Sequence, residues 1–145
     1  MTIHACCISI GGRGVLLRGP SGAGKSDLAL RLIDRGAVLV SDDYTELAAV
    51  DGRLLASPPA TIRGLIEIRG VGLAELPFAE NVPVCLVADL VDAPPRLPEP
   101  SEATICGIAI PAFAIAALEA SAPIKLEYAL QQFGRHFGQH SGSPL

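Results

Sequence analysis

One short loop constrains the fold of this 145-residue chain more than any other feature of the sequence. Eight consecutive positions fit the pattern G-x-x-x-x-G-K-[ST], which binds the phosphates of a nucleotide when it joins a strand to a helix. They are Gly19, Pro20, Ser21, Gly22, Ala23, Gly24, Lys25 and Ser26. The glycines let successive backbone N–H groups turn toward one anion. We expect Lys25 to reach the β- and γ-phosphates and the hydroxyl of Ser26 to bind Mg²⁺.

The segments on both sides of this phosphate-binding loop have the secondary structure that the motif requires. Val15 to Arg18 is an apolar run typical of a buried strand. Asp27 to Arg35 has apolar residues at helical spacing, followed by Gly36 where a helix would end. Ala37 to Ser41 then predicts a second buried strand. The agreement of motif and context favours a nucleotide or polyphosphate site at the carboxyl ends of the strands over a chance glycine turn.

Further strands and helices are predicted along the rest of the chain. Ile3 to Ile10 is expected to form a hairpin with Val15 to Arg18, and Asp51-Gly52 is a strong signal for a second hairpin. Arg69 to Gly72 is a glycine-rich turn. The other expected strands are Thr45–Val50, Arg53–Ala56, Ile62–Ile68, Val82–Leu90 and Thr104–Ile110, and the other expected helices are Ala112–Ala120 and Pro123–Gln132.

The chain has the length of one domain, and neither an internal repeat nor a linker divides it. We expect a single domain over residues 1–132 and a flexible tail over residues 133–145, which are rich in glycine, serine and histidine. Four prolines between Asp92 and Ser101 predict an exposed loop within the domain.

The composition limits the partners that this chain can have. Half of the residues are hydrophobic, and the mean hydropathy is +0.43, so we expect a homo-oligomer whose interface covers part of the apolar surface. The longest uncharged run, Ala103 to Leu118, is broken by Gly107 and Pro111 and is short for a bilayer, so no membrane span is expected. The net charge of −4, without a basic cluster, argues against nucleic acid as a partner.

The four cysteines indicate reduced thiols in a cytoplasmic protein. Cys6 and Cys7 are neighbours in one predicted strand and should therefore point to opposite faces. Cys85 and Cys106 lie in apolar runs typical of strands. No C-x-x-C pair occurs, which argues against a zinc site. We interpret all four cysteines as small buried residues.

Three carboxylates are candidates for chemistry that a phosphate-binding loop alone does not supply. Asp42 and Asp43 end the strand that follows the loop's helix, so they should lie beside the terminal phosphate. One could hold Mg²⁺ while the other accepts a proton from a hydroxyl group, and the alternative is a solvated strand end. Glu67 precedes Arg69 by two positions and is either a second metal ligand or half of a surface salt bridge.

Four stretches together resemble the catalytic domain of bacterial HPr kinase/phosphorylase. They are Ile3-His4, Gly19 to Ser26, Val40-Ser41-Asp42-Asp43, and Leu65-Ile66-Glu67-Ile68-Arg69-Gly70-Val71-Gly72-Leu73. The last looks like the signature stretch of that family and is far more specific than a phosphate-binding loop. The resemblance implies an α/β fold, a P-loop kinase domain of the phosphoenolpyruvate-carboxykinase-like type with a mixed sheet and flanking helices. It also implies a short form without the N-terminal domain that family members often carry.

The resemblance gives roles to the residues that bind ATP and metal. Lys25 would grip the phosphates, and Ser26 and Glu67 would bind Mg²⁺. Asp42 is then the carboxylate of the aspartate pair that could also hold Mg²⁺.

The remaining roles concern the transfer itself. Asp43 would accept the proton of the acceptor serine, and His4 would lie near it and tune the site, although a lone histidine in a strand is more often structural. Arg96, in the proline-rich loop, would reach toward the transferred phosphoryl group. The alternative for Arg96 is a solvated loop charge.

The expected function is an ATP- and Mg²⁺-dependent serine kinase that phosphorylates HPr, the phosphocarrier of the sugar phosphotransferase system. The resemblance implies a hexamer. Phosphorylase activity is left open because residues 111–121, where the family has a basic stretch, hold no lysine or arginine. Two alternatives remain, a P-loop kinase for a small metabolite and a non-catalytic nucleotide-binding switch.

Overall fold

A mixed β-sheet organises residues 1–136, the part of the chain that this computed structural model describes. The strands are β1 (Thr2–Ile3), β2 (Cys6–Ile10), β3 (Arg13–Arg18), β4 (Val38–Ser41), β5 (Thr45–Val50), β6 (Arg53–Ser57), β7 (Leu65–Ile68), β8 (Gly72–Glu75), β9 (Val82–Leu90), β10 (Ser101–Ile105) and β11 (Ile108–Ile115). The helices are α1 (Lys25–Asp34) and α2 (Ala122–Phe133), with a short 3₁₀ turn at Ala60–Ile62. The predicted α/β fold with a mixed sheet and flanking helices is confirmed. Most of the predicted tail, residues 133–145, lies outside the described residues.

The central strand of the sheet is β9, which pairs in parallel with both β3 and β11. Beyond β3 come β2 and then β4, each antiparallel to its neighbour, so β3 and β4 run in the same direction. The strands β6, β5 and β1 extend the sheet from the start of β9. The carboxyl ends of β3, β4, β9 and β11 therefore share one edge, which is where parallel strands bind ligands.

Helix α1 packs on the sheet because its buried residues recur on one face. Leu28, Ala29 and Leu32 are inaccessible to solvent and share an apolar cluster with residues of β2, β3 and β9. Burial of each leucine contributes about 1.5–3 kcal/mol. The helix ends before Gly36, whose φ of 110° suits glycine, so the predicted C-terminal glycine is confirmed. Within residues 1–136, neither helix has the length and hydropathy that a membrane crossing requires.

The two faces of the sheet are covered by separate apolar clusters, and successive strand residues alternate between them. On β2, Cys6 packs in the cluster that includes α1 and α2, whereas Cys7 packs in the opposite cluster. On β3, Leu17 belongs to the first cluster and Leu16 to the second. The prediction that the two neighbouring cysteines point to opposite faces is confirmed.

The predicted strand over Ile3–Ile10 is in fact two strands. β1 pairs with β5 and β2 pairs with β3, and the chain changes direction between them at His4 and Ala5. The hydroxyl of Thr45 donates a hydrogen bond of 2.8 Å to the carbonyl oxygen of Ala5, which stabilises this break. The break leaves His4 outside both strands.

Two predicted hairpins are confirmed, and the hairpin of β7 and β8 was not expected. The hairpin of β2 and β3 and the hairpin of β5 and β6 around Asp51-Gly52 both form. The stretch Arg69–Gly72 was predicted as a turn, but Gly72 already begins β8, which pairs with β7 in a separate two-stranded sheet. This hairpin packs through the buried Ile66 into the same cluster as α1.

The predicted helix over Ala112–Ala120 was wrong, and the predicted strand over Thr104–Ile110 is in fact parts of two strands, β10 and β11. Cys106 and Gly107 have positive φ angles of 51° and 77°, which turn β10 back into β11. The alanines favour a helix locally, but pairing with β9 and burial of Ile110 outweigh that preference. Cys106 is consequently exposed in a turn, and the expectation that it is buried in a strand was wrong.

Candidate active site

An open cavity of about 430 Å³ lies at the amino end of α1, on the sheet edge where β3 and β4 end. Four separate segments of the chain contribute predicted site residues to its lining. They are His4, Ser21, Gly22, Gly24, Lys25, Ser26, Asp43 and Glu67. Asp42 is buried beside this lining and is hydrogen-bonded to it. The fold therefore brings together the predicted site residues, with the exception of Arg96.

The phosphate-binding loop has the backbone geometry of an anion cradle. Gly22 and Gly24 have φ angles of 84° and 95°, which residues with a side chain rarely adopt. A Cβ added at Gly24 would also lie 3.3 Å from Cδ2 of Leu118, so the position has little room for a side chain. The first N–H groups of a helix have no partner within that helix, so the start of α1 attracts anions.

The side chain of Lys25 is hydrogen-bonded to the backbone of the phosphate-binding loop. Its Nζ donates hydrogen bonds of 2.7 Å to the carbonyl oxygen of Gly19 and 3.0 Å to that of Pro20. The residue is only 6% exposed. Its charge therefore lies inside the cradle, where it would add to the attraction that the backbone N–H groups exert on phosphate.

Asp42 joins the phosphate-binding loop to the β7 hairpin. Its Oδ1 accepts a hydrogen bond of 2.6 Å from the hydroxyl of Ser26, and its Oδ2 accepts one of 3.0 Å from the backbone N–H of Glu67. The residue is 6% exposed, so the charge of its carboxylate is stabilised chiefly by these donors. Asp42 thus fixes Ser26 relative to the backbone of Glu67, and all three residues are predicted to bind Mg²⁺.

Asp43 is the carboxylate that is open to the cavity. Its side chain is 61% exposed, and its Oδ1 lies 3.0 Å from Nε2 of His4. The ring of His4 in turn lies against that of Tyr44, with 5.2 Å between the ring centroids. A φ of 69° puts Asp43 in the left-handed region, where a tight turn closes with a 2.7 Å bond from the N–H of Tyr44 to the carbonyl oxygen of Asp42. An incoming hydroxyl group can reach this carboxylate.

Cys6 also belongs to the site, a role that was not expected from the sequence. Its Sγ donates a hydrogen bond of 3.2 Å to Oδ1 of Asp42 and accepts one of 3.4 Å from the backbone N–H of Asp43. Burial raises the pKa of the thiol to about 12, so the sulfur keeps its proton at neutral pH. Strand alternation, which puts Cys6 on the face opposite Cys7, was the signal that could have placed it beside α1.

Within residues 1–136, Glu67 does not form the surface salt bridge that was the alternative to its predicted metal-binding role. Its exposed side chain lines the cavity, and among the ion pairs of residues 1–136 none involves Glu67 or Arg69. The donor set of Ser26, Asp42 and Glu67 consists of oxygen atoms, which Mg²⁺ prefers. Among residues 1–136, no group of three or more His, Cys, Asp and Glu side chains is placed to hold a metal ion, so the metal-binding role of Glu67 stays a prediction.

The two arginines near the site have different positions. Arg96 is exposed in the proline-rich loop and lines a separate groove of about 330 Å³, together with Phe113 and Tyr128. Arg69, which follows β7, lines the cavity at the phosphate-binding loop. No role was expected for Arg69 from the sequence, although its position two residues after Glu67 puts it on the same hairpin. The predicted role of Arg96 stays a prediction.

Comparisons with known proteins agree with this geometry. The family model described as HPr Serine kinase C-terminal domain matches residues 1–78. The HPr kinase/phosphorylase of Clostridium tetani (strain Massachusetts / E88) is 40% identical over 75 residues, which cover 52% of this chain and 25% of that protein. The HPr kinase/phosphorylase of Thermoanaerobacter pseudethanolicus (strain ATCC 33223 / 39E) is 47% identical over 77 residues, with the same coverage of 52% and 25%. The chain thus spans about a quarter of the length of these curated relatives.

One solved structure matches a larger part of the chain. It is the structure of the Hpr(Ser) kinase/phosphatase from Coxiella burnetii, with a TM-score of 0.81 and 30% sequence identity. The match covers 90% of this chain and 94% of that one. The predicted P-loop kinase fold is therefore confirmed well beyond residue 78, where the family model ends.

Proposed function

This chain belongs to the family of HPr serine kinase C-terminal domains, and we propose that it is an ATP- and Mg²⁺-dependent serine kinase acting on the phosphocarrier HPr or a close relative. The observation that carries the proposal is the position of Asp43. An exposed carboxylate lines the same cavity as the phosphate-binding loop, 3.0 Å from a histidine. A nucleotide-binding switch without catalysis would not need a carboxylate at that place.

The phosphates of ATP would bind to the glycine loop and the start of α1. The backbone N–H groups and the ammonium group of Lys25 would spread positive charge over the β- and γ-phosphates. Two of the three N–H donors of Lys25 bond to Gly19 and Pro20, so one remains to donate to a phosphate oxygen.

Ser26, Asp42 and Glu67 would hold Mg²⁺ together with phosphate oxygens. When bound, the ion would neutralise charge that develops on the transferred group. The chain's own contribution is to keep these three residues in register, which the hydrogen bonds of Asp42 to Ser26 and to the Glu67 backbone accomplish.

Asp43 would act as the base in the transfer. The hydroxyl oxygen of the acceptor serine forms a bond to the γ-phosphorus, the bond from that phosphorus to the ADP oxygen breaks, and the serine proton passes to the Asp43 carboxylate. His4 would orient this carboxylate through the 3.0 Å contact. The 61% exposure of the Asp43 side chain suits a serine that is presented by another protein.

Arg69 and Arg96 are the candidate cations for the transition state. Arg69 already lines the cavity, whereas Arg96 would act only after the loop that carries it approaches the phosphates. We include both arginines in the proposal.

We also propose a cytoplasmic location, where ATP is available, and a homo-oligomeric state. The exposed apolar side chains of Leu97, Leu118 and Tyr128 support the last of these. Phosphorolysis of phosphorylated HPr is a further reaction to assay.

Transfer of labelled phosphate from ATP to HPr tests the proposal. We expect label on HPr in the presence of Mg²⁺ and none on an HPr variant whose acceptor serine is replaced by alanine. Small hydroxylated metabolites serve as the parallel acceptors. Label on a metabolite instead of HPr would favour the small-molecule kinase, and ATP binding without transfer to any acceptor would favour the nucleotide switch.

A further inference from the structure

The sulfur of Cys6 lies between the two aspartates that end β4. It contacts Oδ1 of Asp42 at 3.2 Å and the backbone nitrogen of Asp43 at 3.4 Å, and it lies 3.9 Å from the hydroxyl oxygen of Ser26. The residue is fully buried. A single thiol therefore touches a residue of the phosphate-binding loop and both members of the aspartate pair.

The contact with Asp42 restricts the direction of that carboxylate. Oδ1 accepts from the Cys6 thiol and from the Ser26 hydroxyl, while Oδ2 accepts from the Glu67 backbone. With donors on both oxygens, the carboxylate has little freedom to rotate. Partners of this kind, which hold the residues that bind a metal, typically affect metal affinity or activity by about 10–100-fold when they are removed.

The contact with Asp43 supports an unusual backbone conformation. Asp43 has a φ of 69°, a left-handed conformation that is strained for a residue with a side chain. The hydrogen bond from its N–H to Cys6 is one of the interactions that keep the chain in this turn. The same turn directs the Asp43 side chain toward His4 and the cavity.

We propose that Cys6 is a positioning residue for the kinase site, since its thiol orients Asp42 beside the metal position and fixes the turn that presents Asp43. This inference rests on the proposed function for its catalytic part. Its structural part, the alignment of the metal-binding residues, does not depend on which acceptor the enzyme uses.

Cys7 provides the matched control. It is the next residue of the same strand and is also fully buried, but it packs in the cluster on the opposite face of the sheet. Its sulfur contacts the backbone carbonyl of its neighbour Ile8 at 3.9 Å. Replacing either cysteine by alanine removes the same atom from the core, so a difference between the two variants reports on the contacts with the aspartates.

The experiment compares Cys6→Ala, Cys6→Ser and Cys7→Ala with the wild-type chain. Mn²⁺ serves as the probe in place of Mg²⁺, and its affinity in the presence of ATP is measured by electron paramagnetic resonance. The midpoint of thermal unfolding and the kinetics of phosphate transfer to HPr are measured beside it. A serine at position 6 keeps a donor and an acceptor at the same place.

We expect Cys6→Ala to weaken Mn²⁺ binding about tenfold and to lower kcat by a similar factor, with KM for HPr unchanged. Cys7→Ala should leave metal binding and kcat unchanged although it lowers the unfolding midpoint as much. Cys6→Ser should recover most of the metal affinity. Should Cys6→Ala fail to fold, the Cys6→Ser protein still decides, because a folded serine variant with tenfold weaker Mn²⁺ binding would contradict the proposal.

The outcomes separate this proposal from the proposed function. Equal Mn²⁺ affinity and equal kcat in Cys6→Ala and Cys7→Ala would reduce Cys6 to a packing residue and overturn the inference, while the kinase assignment stands. Weaker Mn²⁺ binding in Cys6→Ala alone, in a chain that transfers no phosphate to HPr, would support the positioning role and reject the kinase assignment.

Discussion

Residues 1–78, the site region, and residues 79–136, the scaffold region, contribute to this protein in different ways. The site region matches the family model, and all residues that line the cavity at the phosphate-binding loop belong to it. The scaffold region supplies the central strand β9 and the helix α2, whose residues Leu126 and Leu130 share a cluster with α1. It also contains the proline-rich loop and the groove beside it.

The site region and the scaffold region differ in how strongly they depend on the identity of particular residues. The solved structure from Coxiella burnetii matches 90% of the chain in fold, but the family model stops at residue 78. A catalytic site needs given side chains at given positions, whereas a scaffold tolerates many apolar side chains of suitable volume. Substitutions in the site region should therefore change the chemistry, and substitutions in the scaffold region, apart from Arg96, should change stability.

The largest difference is expected between the two lysines of the chain, which fall one in each region. Lys25→Ala removes the buried ammonium group of the cradle and should lower phosphate transfer about 10³-fold, with weaker ATP binding. Lys125→Ala removes only an exposed partner of Glu119 and should leave transfer unchanged. Transfer assays and calorimetric titration with ATP measure both effects. Equal activity of the two variants would remove the loop from the mechanism.

The two arginines test where the boundary between the regions lies. Arg69→Ala should lower kcat about 10²-fold, because Arg69 lines the cavity and would face the transferred group. Arg96→Ala should lower kcat less, about tenfold, since Arg96 lies in the neighbouring groove and must approach to act. Steady-state kinetics with HPr measure kcat and KM for each. A larger loss of kcat in Arg96→Ala than in Arg69→Ala would show that a residue of the scaffold region has the larger part in the chemistry.

A smaller effect is expected for Glu67, the proposed metal ligand at the end of the β7–β8 hairpin. Glu67→Gln should raise the Mg²⁺ concentration needed for half-maximal transfer about tenfold, because a carboxylate ligand is replaced by a neutral amide. Glu75→Gln, an exposed position on the other strand of the same hairpin, is the control. An unaltered Mg²⁺ titration in Glu67→Gln would return Glu67 to a surface role.

The smallest effect on turnover is expected in α2. Leu126→Ala should lower the free energy of unfolding by about 2–5 kcal/mol, because it leaves a cavity where the side chain is fully buried. Its kcat at a temperature where the protein stays folded should be unchanged. Ile124→Ala, at a position that is 42% exposed on the same helix, should cost less stability. Chemical denaturation measures both, and a loss of kcat in folded Leu126→Ala would contradict the scaffold role.

The site region could be predicted from the sequence because its signals are local. The loop from Gly19 to Ser26 and the turn Asp51-Gly52 each specify their own backbone geometry, so both were identified correctly. The split of the first strand at His4 was missed, since it depends on a hydrogen bond from Thr45, about forty residues away.

The scaffold region was predicted less well because its strands depend on distant partners. The alanines of β11 favour a helix when they are considered alone, and its pairing with β9 and β10 makes it a strand. The role of Cys6 was missed for a similar reason. A cysteine in a strand has the pattern of a small apolar residue, and its contacts with Asp42 and Asp43 exist only once β2 and β4 are paired.

Asp43→Asn tests whether Asp43 is the catalytic base of a site that binds ATP independently of it. Asparagine tolerates the left-handed conformation and can keep a hydrogen bond to His4, so the substitution removes the charge and little else. The control is Asp51→Asn, which alters an exposed aspartate that is also in the left-handed region, with a φ of 51°.

The measurement is single-turnover phosphate transfer to HPr, with ATP affinity determined on the same samples. We expect Asp43→Asn to bind ATP like the wild-type chain and to transfer phosphate about 10²–10⁴-fold more slowly, while Asp51→Asn transfers at the wild-type rate. Transfer by Asp43→Asn at the rate of Asp51→Asn would show that the cavity carboxylate has no part in the reaction.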